Sequence, residues 1–110
     1  MINWSDFEKI DMRVGTIIKA EEFPEARKPA YILTIDFGPE IGIKKSSAQI
    51  TELYKNKYLK GEQIIAVVNF PPKQIGPFMS ECLVLGVYNE NEEVVLLRPQ
   101  RETMNGCKVG

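Results

Sequence analysis

Three observations predict a small all-β protein with little helix, arranged as a five-stranded barrel. Segments rich in Val, Ile and Thr, several with period-two alternation, recur along the chain between glycines and prolines. Only two short stretches, residues 5–10 and 50–59, carry helical signals. The first long strand contains Gly15 in its interior, where a bulge or sharp bend lets one strand serve both sides of a barrel. With 110 residues, 44% apolar and 26% charged, the chain has an ordinary globular composition and the length of a single domain over 1–110. A chain of this size buries roughly two-thirds of its unfolded surface.

Ser5-Asp6-Phe7-Glu8 has the spacing of a capping box, so residues 5–10 read as a short N-terminal helix with Trp4 and Phe7 on its apolar side. Residues 13–23 form the first strand, ended by Pro24; residues 25–29 are a loop bracketed by two prolines, which cannot supply ladder donors. In residues 31–37, Tyr31, Leu33, Ile35 and Phe37 share one face and Ile32, Thr34 and Asp36 the other. Gly38-Pro39 is turn chemistry. Residues 42–49 are a third extended piece, polar at Lys44 to Ser47. Ile50, Leu53, Tyr54 and Lys57 then fall at helical spacing, Thr51 is a candidate cap and Gly61 a stop. Residues 63–70 are an apolar fourth strand buried on both faces, stopped by Pro71 and Pro72. Residues 82–88 are a fifth strand, residues 89–92 a turn, and residues 93–97 a short sixth strand. Residues 98–110 form a C-terminal extension. Three strands, a helix, then two or more strands is the order of the OB-fold, whose helix plugs the barrel between its third and fourth strands. A small sandwich is the alternative, and a lone helix in that position favours the barrel.

The chain has no His and two Cys, Cys82 in an apolar run and Cys107 near the end. That excludes Ser-His-Asp and Cys-His catalysis and both mixed and all-cysteine zinc sites. The carboxylates of Asp6 and Asp11, and of Glu21 and Glu22, do not converge as paired acid–base groups must. A glycine-rich phosphate loop is absent. The expectation is a binding protein rather than an enzyme, with no catalytic residues, no metal and no cofactor. No apolar run approaches the ~20 residues of a membrane span. The N-terminus lacks the basic and apolar blocks of a signal peptide, and two thiols without a framework suit a reducing compartment. A cytoplasmic protein, not inserted in a membrane, is expected.

Net charge is -1, but unevenly spread. Residues 1–25 carry -3 and residues 81–102 carry -3, whereas residues 44–73 carry +4. Phosphate binding depends on local potential. Lys55, Lys57 and Lys60 read as the solvated face of a helix. Lys44, Lys45, Ser46 and Ser47 join two cations to two hydroxyls on an extended segment, as phosphate and 2'-hydroxyl contacts need; lysines guarding a strand edge read equally well. The loop 69–81 is unusually apolar. Its Phe70, Pro71, Pro72, Ile75, Phe78 and Met79 suit base stacking, an apolar peptide, or packing beneath the loop.

Residues 7–17, Phe-Glu-Lys-Ile-Asp-Met-Arg-Val-Gly-Thr-Ile, resemble the opening of the tRNA-binding domain family. That family includes free-standing tRNA-binding proteins and the C-terminal domain of many methionyl-tRNA synthetases. Within it the chain most resembles a branch of secretion chaperones. The match runs through residues 20–27, 35–38, 45–51 (Lys-Ser-Ser-Ala-Gln-Ile-Thr), 67–72 (Val-Val-Asn-Phe-Pro-Pro), 80–86 and 94–97. The resemblance implies an OB-fold, a homodimer, tRNA binding and, for that branch, affinity for unfolded or export-bound polypeptides, with the protein-secretion machinery as a further partner. Synthetase-linked members carry a basic loop and then Ser-x-Gly-Met at the tRNA surface; Lys73 and Ser80 fall on that loop and that Ser. Cys82 stands where the Gly would be and Leu83 where the Met would be.

The dimer has a physical argument too. Trp4 and Phe7 cannot easily be buried by a barrel already closed by its own helix, and the segment after Leu97, with Met104, lies beyond that barrel. Apolar ends outside a closed fold can cover a symmetric partner.

Overall fold

A computed structural model describes residues 1–110. Along the chain run α1 (Trp4–Glu8), β1 (Met12–Glu22), β2 (Tyr31–Asp36), α2 (Gly38–Ile41), β3 (Ile43–Ala48), a 3-10 turn (Asn56–Tyr58), β4 (Gln63–Val67), β5 (Lys73–Ile75), β6 (Phe78–Ser80), β7 (Leu83–Val84), β8 (Gly86–Tyr88) and β9 (Val94–Leu96). Five strands make a nearly closed antiparallel barrel in the order β3-β2-β1-β4-β7. The mostly-β, OB-type barrel expected from the sequence is the observed fold.

β1 serves both sides, as Gly15 in its interior suggested. Met12–Thr16 pair with β4 and Thr16–Glu22 pair with β2. Gly15 sits at the crossover for a reason of space. A Cβ there would stand 2.6 Å from Ile35 Cγ2 and 2.7 Å from the Phe37 ring. The bulge expected at Gly15 lies further on, between Ile17 and Lys19. The alternation of β2 is realised fully: Tyr31, Leu33, Ile35 and Phe37 are buried, and the intervening residues are not. With Ile17, Ile64 and Ala66 they form the core. Each such aliphatic or aromatic side chain contributes about 1.5–3 kcal/mol of burial.

Several elements depart from expectation. The N-terminal helix starts at Trp4, and its cap is Asn3 paired with Asp6, not Ser5 with Glu8. The Asp6 amide donates to Asn3 Oδ1 and the Asn3 amide to Asp6 Oδ2, each at 3.1 Å. Over residues 50–59 the expected helix contracts to the single 3-10 turn. The Tyr54 carbonyl, which a helix would pair with the amide at position 58, instead accepts the Tyr31 hydroxyl at 2.7 Å. The Tyr54 hydroxyl accepts the Leu96 amide at 2.9 Å. Tertiary bonds thus replace the helical ladder, while Ile50 and Leu59 still enter the core. Gly38-Pro39 opens α2 rather than a plain turn.

The loop expected over 69–81 contains a hairpin, β5 with β6, turning at Gly76 (φ 57°). The expected fifth strand breaks in two. β7 pairs with β4, and β8 peels away to pair with β9. β4 ends at Val67, where the Val68 amide turns to the Asp11 carbonyl at 2.8 Å, and Ile65 stays half-buried.

The C-terminal extension does not lie beyond the barrel. The Val14 amide donates to the Cys107 carbonyl (3.0 Å), the Gly106 amide to Val14 (2.7 Å) and the Val109 amide to Met12 (2.9 Å). Arg13 ties the turn down, reaching Asp11 Oδ1 at 2.6 Å and the Gly106 carbonyl at 3.0 Å. The Asp11 hydrogen bond raises the Arg13 pKa further above its ordinary value. The extension therefore packs on its own chain, and of its large apolar side chains only Met104, 80% exposed, is left over.

Candidate binding groove

The two end strands of the sheet, β3 and β7, face each other across a seam. The Glu81 amide donates to the Lys45 carbonyl at 2.7 Å. The Lys45 amide donates to Glu81 Oε1 at 2.9 Å, the Ser46 hydroxyl to the Cys82 carbonyl at 2.9 Å, and the Ser47 amide to Ser80 Oγ at 3.2 Å. Three of these four bonds use a side chain. Beyond them the seam opens into a groove of about 580 Å³. Ala48, Gln49 and Ile50 form one wall and residues 83–86 the other; Phe70, Pro71, Lys73, Ile75 and Tyr88 surround it.

The groove unites part of each candidate set. Ser47, Lys73 and Ser80 come to it from the proposed nucleic-acid residues, and Phe70, Pro71 and Ile75 from the proposed peptide residues. In the β5–β6 hairpin, Lys73 lies opposite Ser80 and Ile75 opposite Phe78, so alternation turns Gln74 and Met79 the other way. Phe70 is 55% exposed. Lys44, Lys45 and Lys73 make no salt bridge, which leaves their charges available to an anion.

Other candidates are placed elsewhere. Ser46 is buried with its hydroxyl committed to Cys82, so it is a seam residue and presents nothing to a ligand. Phe78 packs edge-on against buried Phe23, ring centroids 5.4 Å apart, and holds the hairpin to the barrel. Lys44, Lys45, Pro72 and Met79 lie outside the groove lining, with Lys45, Pro72 and Met79 exposed.

Sequence reasoning missed Tyr88, Val94 and the walls at 48–50 and 83–86. Their signal was faint: residues 82–88 read as one buried strand, and the break at Leu85 that opens the groove has no turn residue before Gly86.

Cys82 forms part of the groove floor. Burial pushes its thiol up to about 11, partly offset by the Ser46 hydrogen bond and the Lys44 charge. It is therefore a protonated packing residue at neutral pH, not a thiolate nucleophile. Cys107 is exposed.

A second apolar hollow of about 340 Å³ lies between α1 and the C-terminus, lined by Trp4, Phe7, Ile10 and Val109 among others. Trp4 and Phe7 pack together at 5.9 Å, yet Trp4 remains 76% exposed. Met104 is not part of this hollow.

A five-stranded OB-type barrel with a largely apolar groove holding one lysine beside its seam defines the class of small OB-type binding modules. Residues 12–108 match the tRNA_bind family, described as "Putative tRNA binding domain", and the chain belongs to that family. Among solved structures, the chaperone CsaA from Bacillus anthracis str. Ames is similar at 55% identity and TM-score 0.94, covering 100% of this chain and 99% of that one. The CsaA chaperone protein from Picrophilus torridus is similar at 54% identity and TM-score 0.93, covering 100% of both. The methionine–tRNA ligase of Pyrococcus horikoshii is 34% identical over 108 residues, 98% of this chain but 14% of the ligase. The chain thus spans about one-seventh of the length of the curated relatives it matches. No helix is long and apolar enough to cross a membrane.

Proposed function

We propose that the protein is a dimeric, non-catalytic chaperone that binds unfolded or export-bound polypeptides, and also tRNA, in the cytoplasm. The observation that carries the reading is the meeting of exposed Phe70 and Pro71 and half-buried Ile75 with Ser47, Lys73 and Ser80 in one groove. Full-length similarity to two chaperones supports it. Apolar side chains on a rigid barrel take unfolded segments, and unpaired lysines around them take phosphate. The secretion machinery is a further partner in this reading. The test is suppression of aggregation of a chemically unfolded client, with added tRNA as competitor. Salt-tolerant suppression, reduced by Phe70→Ser, is expected; absence of suppression over a range of clients would overturn the chaperone reading.

A dedicated tRNA-binding module without chaperone activity is the second reading. It is favoured by the unpaired Lys44, Lys45 and Lys73 and by the ligase relative. It predicts salt-sensitive tRNA binding with no effect on client aggregation. The dimer rests on exposed Trp4 and the hollow beside it. Sedimentation equilibrium at micromolar concentration is expected to give about twice the chain mass of 12.5 kDa; a stable monomer would remove this part of the proposal.

A further inference from the structure

The groove opens where the barrel ladder is interrupted. β3 and β7 are the two ends of the sheet, so each has an edge that no strand of the barrel covers. A single main-chain hydrogen bond, from Glu81 just before β7 to Lys45 of β3, crosses the seam. From Ala48 to Ile50 on one wall and from Leu83 to Gly86 on the other, no hydrogen bond spans the gap. Uncovered strand edges present rows of N–H and C=O groups that pair readily with another chain.

We propose that the groove receives an extended stretch of polypeptide as an added strand, with apolar residues at alternate positions and one acidic residue beside Lys73. This rests on the polypeptide-binding reading above and specifies its mode. Four features of the groove select that occupant. Apart from Leu85 and Gly86, which already pair with Ile65, Leu97 and Leu96, its edges offer main-chain partners, which give affinity without sequence preference, while pockets for alternate side chains give the preference. Its floor and walls are apolar at Ile50, Cys82, Val84, Leu85 and Val94, and they suit the inward residues of a strand. Its own mouth segment cannot fill the gap, because Pro71 and the following Pro72 have no N–H to donate. The only charged side chain in its lining is Lys73, which has no salt-bridge partner. One cation among apolar side chains complements a single carboxylate better than the repeated phosphates of a nucleic acid.

The experiment uses the intact protein and a fluorescent, end-blocked octapeptide of alternating Val and Thr with one central Glu. Anisotropy is compared for this peptide, for one with the same side chains and N-methylated interior amides, and for one with Lys in place of Glu. The N-methylated peptide is expected to bind at least about tenfold more weakly, since several main-chain bonds are lost together. The Lys73→Glu variant is expected to lose the Glu peptide and gain the Lys peptide. Lys73 is exposed, so the variant should keep the thermal transition of the parent, which is measured alongside. Equal binding of the N-methylated peptide would overturn the added strand, and so would failure of the charge swap to exchange the peptides. Displacement of the parent peptide by a short single-stranded RNA whose binding Lys73→Glu abolishes, with no N-methylation effect, would assign the groove to nucleic acid instead. Client aggregation separates the two levels. If suppression persists but the added-strand results fail, the polypeptide reading stands and its mode falls. If suppression and peptide binding are both absent, the reading falls with it.

Discussion

The molecule treats its two exposed strand edges in opposite ways. At the start of β1, the edge that β2 does not cover is taken by the chain's own C-terminal segment through main-chain bonds from Val14, Gly106 and Val109. At the seam, β3 and β7 are held together mainly by the side chains of Ser46, Ser80 and Glu81, and then left apart. A backbone ladder makes a closed edge that depends little on residue identity. Side-chain bridges make a narrow latch that depends on a few hydroxyls and one carboxylate. The contrast teaches that an uncovered edge is not left open by default, because residues 106–109 seal the other one.

The sealed edge gives the largest expected effect. Gly106 has φ 93°, and a Cβ there would stand 2.6 Å from the Phe37 carbonyl oxygen. Gly106→Val should therefore strain the backbone and push the C-terminal segment off β1. A loss of about 2–4 kcal/mol is expected, read as a fall in Tm on the order of 10 °C. An unchanged Tm would mean that the segment contributes nothing to closure.

Next comes pH dependence at the latch. Cys82 has an ordinary value of 9.0, and burial pushes it up to about 11 in the folded protein. The fold favours the neutral thiol, so the folded state holds its proton where the unfolded chain has released it. The contribution is whole below pH 9, declines as pH rises towards 11, and amounts to roughly 2–3 kcal/mol at most. Urea unfolding between pH 8 and 11 should show a steeper loss of stability in the parent than in Cys82→Ala. Parallel slopes would show that the thiol stays out of the alkaline transition. In the native protein at neutral pH, a thiol reagent should titrate Cys107 alone.

A smaller effect belongs to Ser46. Its hydroxyl bonds the Cys82 carbonyl in a buried setting, so Ser46→Ala should cost about 1–2 kcal/mol. Because it loosens the latch rather than the core, hydrogen exchange should speed at Lys45, Ser47 and Glu81 before it speeds at Ile17 or Leu33. Uniform acceleration would deny the seam its separate character.

How much of this was legible beforehand follows the same division. β2 was plain because Tyr31, Leu33, Ile35 and Phe37 alternate without exception, and the two-sided use of β1 was signalled by Gly15 in its interior. The helix at 50–59 was misread because its spacing is real, yet Tyr54 spends its carbonyl and hydroxyl on tertiary partners that no local pattern reveals. At the groove, residue type does not reveal direction, and only Ser47, Phe70, Pro71, Lys73, Ile75 and Ser80 of the twelve candidates line it. Ser46 and Phe78 are polar and aromatic like their neighbours, but a strand face and a hairpin register turn both towards the protein. The C-terminal clasp was invisible because Arg13, Asn105 and Gly106 act through chain separations of about 90 residues.

The smallest effects on stability should accompany the clearest effects on binding. Lys45 and Lys73 are exposed and unpaired, so Lys45→Glu and Lys73→Glu should each change stability by no more than about 0.5 kcal/mol. They differ in position: Lys73 lines the groove, whereas Lys45 lies outside it on the exposed side of β3. If tRNA crosses the groove mouth and runs along β3, both reversals weaken it, and each lowers the slope of log K against log salt by about one unit. Peptide binding separates them, because a strand in the groove meets Lys73 and not Lys45. Lys45→Glu should therefore impair tRNA binding alone and Lys73→Glu both activities. Equal loss of peptide binding in the two variants would place the polypeptide on the outer face of β3, and the open seam would lose its claim to be the reason the chain leaves that edge uncovered.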